Sequence, residues 1–488
     1  MAVKNLKKLE DIFYGATFDD FLLRPQHSMV STRKEVDLTM PLTKGLSINM
    51  PIIGANMDSV TREKMMKTLS LEGCFGFIDR NCSIEDEAAR VKYVKTQHSF
   101  VIENPIVLYK KATIREAKSV IKKKGVSGIL LEDEPGKKIL AGILSHRDVL
   151  RSDEKDGHLV QEFMTPFKEL VTAKPGISIE EAEKLMFRNR IEKLPLIDKK
   201  RRIKGLITMK DLRLAKQKPY SNKDKKGRLL AGAAIGAFGD YMDRTEALIK
   251  AGADCILMDV AHADSDVIKK AFKNFRSKFK NIPIACGNVA TGEGTKFLME
   301  LGADAIKVGV GPGRGCRTRL EVGAGVPQMQ AIREAYLATN GKIPIIADGG
   351  VKNDKDIFMA IAAGASTVML GSMLSGTDES PGFITDDPVT KQRVKIYRGM
   401  TSPEAVADNS TSDNLEEALS TPQEGQSVKV PYVGSVVGVI NRISGHLHSA
   451  VSYAGEASLA DAHKKIAQNP EDFLIRLSLA SQKESFDR

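Results

Sequence analysis

Short apolar runs of four to six residues recur along the chain, and a helical pattern ending at glycine precedes several of them. The stretch "LIKAGADCILMD" (248–259) shows the plan: a helix stops at Gly252, as helix C-termini prefer, and a fully apolar strand follows. Apolar runs without alternation, separated by helices, indicate parallel strands covered on both faces. Related runs are "LMELGADAIKVGV" (298–310), "AIAAGASTVMLGS" (360–372), "IPIAC" (282–286), "IPIIA" (343–347) and "MPIIGANMD" (50–58).

This rhythm predicts an α/β protein built on a (β/α)₈ TIM barrel, with a doubly wound sheet as the runner-up. One repeat interrupts it, because residues 112–150 are echoed by residues 177–212. Each copy reads as a helix, an apolar strand, a charged turn, a second strand and an Asp-bearing helix. Two tandem copies of one βαβ-like unit predict a self-contained inserted module.

Composition narrows the class of protein. The chain has 488 residues, enough for two or more domains, and its content of hydrophobic and charged residues is ordinary for a globular protein. Its longest apolar run is too short for a membrane span and its N-terminus shows no secretory signal, so no membrane partner is expected. The five cysteines are an odd number and include no CxxC pair, which argues against a disulfide scaffold and against a zinc cluster. Free cysteines of this kind favour the reducing cytoplasm. The net charge of +11 comes from scattered lysines, so nucleic-acid binding is not expected.

Polar residues and glycines follow the apolar runs, where a barrel builds its active site. Asp259 and Asn288 each follow a strand, and the segments 348–350 (Asp-Gly-Gly) and 371–372 (Gly-Ser) follow the last two. Glycines at such positions let backbone N–H groups approach a phosphate, although tight turns explain them equally well. Asp348, placed to accept two ribose hydroxyls, favours a nucleotide or sugar phosphate.

A lone cysteine stands in the glycine-rich stretch "GVGPGRGCRTR" (309–319). A thiolate nucleophile requires an electropositive, partly exposed setting, which Arg314, Arg317 and Arg319 could provide. The same arginines could bind phosphate instead, and no histidine lies nearby to act as a base. From the stretch alone, a structural role for Cys316 is the favoured interpretation.

The motifs give the chain a resemblance to the inosine-5′-monophosphate (IMP) dehydrogenase/guanosine-5′-monophosphate (GMP) reductase family over nearly its whole length. They are "TFDDFLLRP", "ANMDSV", "GNVATGE", "GVGPGxxCxTR" followed by "GVPQ", "IADGG", "GSMLSGTDESPG" and "YRGM". The inserted repeat resembles a pair of CBS domains. The resemblance implies a catalytic barrel formed by residues 1–98 and 220–488, CBS domains at 99–158 and 159–219, and a mobile flap at about 401–430.

The resemblance also implies the chemistry of the site. Cys316 would attack purine C2 and form a covalent thioimidate, with hydride transfer involving a nicotinamide cofactor. Arg314 stands where the family usually has a phosphate-binding serine. The implied substrate-binding residues are Met57, Arg314, Asp348, Gly350, Gly371, Ser372, Tyr397, Gly399 and Met400. The implied cofactor residues are Asp259, Asn288 and Gly309, and the backbone carbonyls of Gly311, Gly313 and Cys316 would hold K⁺.

Two opposite reactions share this covalent intermediate. A dehydrogenase needs a base to activate water, which in the family resembles an Arg-Tyr pair on the flap, and residues 401–424 contain no Arg, Lys, His or Tyr. A reductase pairs a threonine after the cysteine with a flap glutamate that protonates the leaving amine. Thr318 occupies the first position, and Glu404 is the nearest candidate for the second, one place late. We therefore expect a GMP reductase that converts GMP and NADPH to IMP, ammonia and NADP⁺.

Three alternatives stay open. One is an IMP dehydrogenase that oxidises IMP to xanthosine 5′-monophosphate with NAD through an unrecognised base. Another is a nucleotide-sensing regulatory protein without turnover, which the altered loop around Cys316 keeps open. Apart from the resemblance, a flavin-dependent barrel enzyme would also use late glycine loops to bind phosphate.

The CBS resemblance implies regulatory nucleotides and assembly. In CBS modules a Ser or Thr and an Asp three residues later commonly bind the ribose of a purine nucleotide, which points to Ser145 with Asp148 and to Thr208 with Asp211. Helix N-capping by the hydroxyl residue fits both pairs equally well. We expect ATP, GTP or GMP to bind there and to modulate activity or assembly. Family members are typically tetramers that CBS pairs can join into octamers, so a homotetramer or an octamer is expected.

Overall fold

The apolar runs form eight parallel strands that close into a barrel in the computed structural model, which describes residues 12–97, 101–150, 156–409, 422 and 424–486. Closure comes from pairing of the last strand with the first, where Val368 lies opposite Ile52. The predicted (β/α)₈ barrel is confirmed, and the doubly wound alternative is wrong because the sheet has no free edge. The strands are β1 (Ile52–Gly54), β2 (Phe75–Ile78), β3 (Gly232–Ile235), β4 (Cys255–Asp259), β5 (Ile284–Val289), β6 (Ala305–Val308), β7 (Ile345–Asp348) and β8 (Thr367–Leu370).

Helices follow the barrel strands and cover their outer faces, which is why the strands are apolar on both sides. Their ends carry the expected signals: Ser265, Thr291 and Asn353 cap helix N-termini through their side chains, and Gly252, with φ of +103°, ends a helix in the left-handed region. The helices are α1 (Glu63–Leu71), α2 (Ile84–Thr96), α3 (Tyr241–Ala251), α4 (Asp266–Lys278), α5 (Gly292–Glu300), α6 (Gln328–Thr339), α7 (Asp354–Ala363) and α8 (Val436–Tyr453).

Shorter elements complete the barrel unit. A three-stranded antiparallel sheet consists of Thr385–Asp386, Arg393–Arg398 and Ser427–Pro431. Strand Phe21–Leu23 pairs with Leu474–Arg476, and Met40–Thr43 pairs with Leu46–Ile48. The remaining helices are Phe18–Asp20, Arg33–Glu35, Thr318–Glu321, Ser372–Ser375, Pro403–Asn409, Leu459–Gln468, Pro470–Phe473 and Leu479–Phe486.

A second compact unit comprises residues 98–219 and 223–228. Both halves contain an antiparallel strand pair and two helices, as the sequence repeat requires. The first half has strands Val107–Tyr109, Gly128–Glu132, Leu140–Ser145 and Thr165–Pro166 and helices Ile114–Lys124 and His146–Leu150. The second has strands Lys193–Ile197 and Ile203–Thr208 and helices Ile179–Arg188 and Met209–Gln217. Its assignment as two CBS domains with a boundary at residue 159 stays a prediction.

All eight barrel strands point their carboxyl ends to one mouth of the barrel, and the loops that leave them meet there. The polar and glycine residues that follow the apolar runs are therefore brought together by topology alone. No helix of the described residues has the length and apolar character needed to cross a membrane.

Candidate functional site

A cavity of about 2360 Å³ opens at the carboxyl ends of the barrel strands. With one exception, Glu404, it is lined by every barrel residue that the sequence predicts for the site. Those lining residues are Met57, Asp259, Asn288, Gly309, Gly311, Gly313, Arg314, Cys316, Thr318, Asp348, Gly350, Gly371, Ser372, Tyr397, Gly399 and Met400. The cavity exceeds the 300–1,000 Å³ that is typical of a single small-molecule site, so it has room for two ligands side by side.

Cys316 lies in the loop between β6 and α6, partly exposed to the cavity. Its backbone N–H donates to the carbonyl of Gly313 at 3.0 Å, a tight turn that presents the thiol at the tip of the loop. The Sγ atom lies 3.1 Å from the hydroxyl oxygen of Thr318, the first residue of the short helix Thr318–Glu321. The position beside another side chain that can exchange protons favours chemistry over packing for this cysteine.

Glu424 completes a hydrogen-bonded chain that starts at the thiol. The Thr318 hydroxyl donates to Glu424 Oε2 at 2.6 Å. The backbone fixes this contact, because the N–H of Arg317 donates to the carbonyl of Glu424 at 2.7 Å and Cys316 pairs with Gly425 in an antiparallel bridge. Cys316, Thr318 and Glu424 therefore form a path along which a proton can leave or reach the reacting group.

The structure does not bring the predicted residue Glu404 to this path. The Glu404 carboxylate accepts a hydrogen bond from Ser427 Oγ at 2.8 Å and does not line the cavity. Glu404 lies on helix Pro403–Asn409, whereas Glu424 leads directly into the strand Ser427–Pro431 that pairs beside the cysteine loop. The signal that could have found Glu424 is its position just before a glycine and the strand-like run "SVKVP".

Lys307 is the central charge of the site, and the sequence reasoning missed it. Its side chain is 3% exposed at the end of β6, and its ammonium lies 2.8 Å from Asp259 Oδ1 and 2.6 Å from Asp348 Oδ2. It also donates to Asn288 Oδ1, and the Asn288 amide donates to Asp348 Oδ2 at 2.9 Å and to the carbonyl of Gly309 at 2.6 Å. The sequence signal that could have identified Lys307 is the presence of a lysine within the apolar run "AIKVGV".

The charges of this cluster stabilise one another. Burial acts to lower the pKa of Lys307, but the carboxylates of Asp259 and Asp348 outweigh it and hold that pKa above its ordinary value. Burial likewise acts to raise the pKa of Asp259, but the Lys307 ammonium and the Asn56 amide, 2.9 Å away, hold it below its ordinary value. The Lys307 ammonium and the Asp259 carboxylate therefore stay ionised at neutral pH.

Tyr397 and Met57 form one wall of the cavity. The Tyr397 hydroxyl donates to the Met57 sulfur at 3.5 Å. Burial first, and then the nearby carboxylate of Asp348, raise the pKa of Tyr397, so the phenol stays protonated. A flat apolar wall with one polar tip is suited to a heteroaromatic ring.

Glycines bring backbone close to backbone beside Tyr397. Gly315 lies against Gly399, where an added Cβ would stand 3.0 Å from the Gly399 nitrogen, so a glycine at this position allows the cysteine loop to approach. Gly349 and Gly350 have φ of +86° and +82°, a left-handed conformation that favours glycine, and both line the cavity. Arg314 is exposed and lines the same cavity, where it can add a positive charge for a phosphate.

The other two arginines hold the loop. Arg317 bonds Glu321 at 2.7 Å and Gln426 at 3.3 Å. Arg319 donates to the carbonyls of Val310 and Val326. Both guanidinium groups therefore stabilise the loop conformation, and that of Arg319 also lies close enough to Cys316 to interact with it electrostatically.

The metal site that the sequence predicts consists of main-chain groups. The described residues contain no cluster of three or more His, Cys, Asp or Glu side chains that could hold a metal ion. The predicted K⁺ site depends on the carbonyls of Gly311, Gly313 and Cys316 instead. The Gly313 carbonyl already accepts the Cys316 N–H, which leaves one of its two lone pairs for a cation.

In the second unit the predicted nucleotide residues cap helices. Ser145 Oγ lies 2.7 Å from Asp148 Oδ2 and accepts the Asp148 N–H at 3.3 Å. Thr208 and Asp211 repeat the arrangement at 2.5 and 3.2 Å. The capping interpretation accounts for these contacts, and nucleotide binding by the same residues stays a prediction.

Known proteins are similar to this chain over nearly its whole length. A family model described as "IMP dehydrogenase / GMP reductase domain" matches residues 15–487. Inosine-5′-monophosphate dehydrogenase of Nitrosopumilus maritimus is 40% identical over 96% of this chain and 97% of its own length, and that of Aquifex aeolicus is 41% identical over 98% and 96%.

Solved structures are similar as well. A cysteine-to-alanine variant of GMP reductase from Trypanosoma brucei in complex with guanosine 5′-monophosphate has a TM-score of 0.83 and 35% identity, covering 98% of both chains. GMP reductase from the same organism in complex with guanosine 5′-triphosphate has a TM-score of 0.74 and 32% identity, covering 97% of this chain and 100% of that one.

The expectation of a GMP reductase is corrected by these relatives. Curated proteins about 40% identical over nearly the full length are named IMP dehydrogenase, a higher identity than that of the reductase structures. The missing Arg-Tyr pair does not determine the direction of the reaction, because a different base could activate water. The comparisons favour the dehydrogenase alternative.

We expect Lys307→Met to destabilise the barrel by about 3–5 kcal/mol at neutral pH, because it leaves two carboxylates without their buried counterion. Burial then raises the pKa of Asp259 above its ordinary value of 3.8. A raised folded-state pKa favours folding in acid and loses that contribution as pH rises, so the deficit against the natural chain should shrink at about pH 5. Urea unfolding at both pH values measures it.

The matched control is Lys250→Met, which removes an exposed partner of Glu246 on α3 and should change the free energy of unfolding by less than ~0.5 kcal/mol. Equal losses in the two variants, or a Lys307→Met deficit that grows in acid, would contradict the assigned role of Lys307.

Proposed function

The chain belongs to the IMP dehydrogenase/GMP reductase family, and within it we propose that it oxidises IMP at purine C2, with NAD⁺ as the hydride acceptor. The observation that carries the proposal is the hydrogen-bonded chain Cys316–Thr318–Glu424 at the mouth of the barrel. It supplies both a nucleophile and the base that the dehydrogenase alternative lacked. The same pair could protonate a leaving amine in a reductase, so the direction of the reaction is taken from the relatives named IMP dehydrogenase.

In the first step the Cys316 thiolate forms a bond to C2 of IMP, and the hydrogen at C2 leaves as a hydride. The nicotinamide dinucleotide, when bound, accepts that hydride and is reduced. The product on the protein is a thioimidate between Cys316 and the purine. No other oxidant is needed, since the hydride carries both electrons.

In the second step water attacks C2 and the bond to sulfur breaks. Thr318 accepts a proton from the water and passes its own hydroxyl proton to Glu424, to which it already donates at 2.6 Å. Cys316 is released as a free thiolate, and the product is xanthosine 5′-monophosphate. The short distances between Cys316, Thr318 and Glu424 allow this proton transfer without movement of the backbone.

The nucleotide is proposed to bind along the glycine loops. Asp348, whose Oδ2 atom is held by Lys307 and Asn288, accepts the ribose hydroxyls. The N–H groups near Gly350, Gly371 and Ser372, with the charge of Arg314, bind the phosphate. The base would lie against Met57, Tyr397, Gly399 and Met400, which places C2 near Cys316.

The cofactor is proposed to occupy the part of the cavity beside Asp259, Asn288 and Gly309. Residues and volume fit such a group, since polar atoms fixed by Lys307 line this part and the cavity has room for two ligands. The carbonyls of Gly311, Gly313 and Cys316 are the proposed ligands of a monovalent cation that would steady the cysteine loop.

We further propose that purine nucleotides such as ATP, GTP or GMP bind the second unit as CBS ligands. Assembly as a homotetramer, joined into octamers through these units, and a cytoplasmic location complete the proposal. They rest on the family resemblance of the inserted repeat.

The direction of the reaction is tested by cofactor absorbance in two mixtures, IMP with NAD⁺ and GMP with NADPH, each with and without K⁺. We expect NAD⁺ reduction with IMP, and Cys316→Ala should abolish it because the thiolate forms the adduct. NADPH oxidation with release of ammonia from GMP, and none from IMP with NAD⁺, would contradict the proposed direction.

The role of Glu424 is tested by comparing Glu424→Gln with Glu404→Gln. Glu424→Gln removes the base and should slow hydrolysis of the adduct by about 100-fold or more. Glu404→Gln changes only the contact with Ser427 and should change the rate of hydrolysis by less than about twofold. Rapid mixing should still show a burst of reduced cofactor, one per active site, in Glu424→Gln. An equal effect of both substitutions, or loss of the burst, would contradict the assignment.

Nucleotide binding by the second unit is tested by titrating ATP and GTP into the full chain by calorimetry. Asp148→Ala and Asp211→Ala should each weaken one binding event by about tenfold, because each removes a charged acceptor for ribose hydroxyls. Glu180→Ala, an exposed acid in the same unit, is the matched control. Unchanged binding in both Asp variants would show that these carboxylates serve only the helix caps.

A further inference from the structure

Arg398 holds two separate segments through its guanidinium. Its Nε and Nη2 atoms donate to the two oxygens of Asp58 at 3.2 and 2.7 Å, a bidentate pair. Its Nη1 atom lies 2.7 Å from Asp408 on helix Pro403–Asn409. The Asp58 side chain is only 2% exposed, so this carboxylate depends on Arg398 for its charge partner.

The backbone of Arg398 also forms hydrogen bonds with the loop that contains Asp58. Its N–H donates to Ser59 Oγ, and the Ser59 hydroxyl donates to its carbonyl, both at 3.3 Å. Asp58 and Ser59 belong to the loop that leaves β1. Strand Arg393–Arg398 therefore contacts the barrel mouth through four hydrogen bonds centred on one residue.

This contact lies directly behind a wall of the cavity. Met57 precedes Asp58, and Tyr397, Gly399 and Met400 surround Arg398 in sequence; all four line the cavity. The Asn81 amide contacts both Asp58 Oδ2 at 3.4 Å and Met400 Sδ at 3.9 Å. Neither Asp58 nor Arg398 lines the cavity itself, so the pair can act on a ligand only through the residues beside it.

We propose that Arg398 is a positioning residue that, through Asp58 and Asp408, sets the separation between Met57 and the segment Tyr397–Met400, and thereby the fit of the purine base. The inference rests on the proposed function to the extent that a purine mononucleotide occupies this cavity. A lysine can bond one of the two carboxylates as a point charge but cannot reproduce the fork that joins them. The spacing of the wall thus depends on the shape of the guanidinium as well as on its charge.

The test measures nucleotide binding without turnover, from the protection of Cys316 against iodoacetamide by IMP and by GMP, read by mass spectrometry of the Cys316 peptide. Arg398→Lys, Asp58→Asn and their double variant are compared with the natural chain. We expect each single variant to weaken protection by about tenfold, and the double variant to be no worse, because both act on one contact.

Two further variants separate positioning from folding. Asp408→Asn changes a carboxylate that is 63% exposed, and it should weaken protection by about threefold without lowering the thermal midpoint, since exposed ion pairs contribute little to stability. Glu246→Gln, which removes exposed ion pairs on α3, is the matched control and should leave protection unchanged.

The outcomes are distinct. Two results would overturn the positioning role while leaving the proposed function intact. One is an additive loss of protection in the double variant. The other is a lower thermal midpoint with unchanged protection in the Arg398, Asp58 and Asp408 variants. Failure of both nucleotides to protect Cys316 in the natural chain would overturn the proposed function and the inference together.

Discussion

The site depends on one buried ammonium group. Lys307, at the end of β6, joins Asp259 of β4, Asn288 of β5 and Asp348 of β7, so a single cation ties together the ends of four consecutive strands. Removing a lysine from water is costly, and only two carboxylates at short range make it favourable. The proposed ribose-binding carboxylate, Asp348, and the proposed cofactor residues hence share one electrostatic support. Their geometry is set before any ligand arrives, which lowers the cost of ordering them on binding.

Around this support the reacting groups are held by backbone pairing. The cysteine loop pairs with residues 424–426, and the approach of Gly315 to Gly399 brings the loop against the strand that carries Tyr397. Main-chain hydrogen bonds restrict the thiol, the Thr318 hydroxyl and the Glu424 carboxylate to hydrogen-bond distance. The side chains are the groups proposed to react, and the backbone hydrogen bonds fix the distances between them.

The fold and most of the cavity wall could be predicted because both follow from local pattern. Apolar runs after helices specify a parallel barrel, and a barrel places Asp259, Asn288, Asp348 and Gly371 at one mouth whatever the details of packing. Glu424 and Lys307 could not be placed in the same way. Glu424 reaches Thr318, 106 residues earlier in the chain, only because its segment pairs with the cysteine loop. Lys307 is a single charged residue in an apolar strand, and its role is visible only from its two carboxylate partners. The direction of the reaction could not be predicted from the sequence either, because the absence of one pair of residues does not exclude a different base.

The late position of Glu424 in the chain has a consequence for biosynthesis. The barrel can close once β8, ending at Leu370, has left the ribosome. The cysteine loop acquires its partners Glu424 and Gln426 only after the chain has been made as far as Ser427–Pro431, the strand that pairs with Arg393–Arg398. Scaffold and proposed reaction centre are thus completed at different times, and a nascent chain carries a finished barrel before Glu424 has joined Thr318.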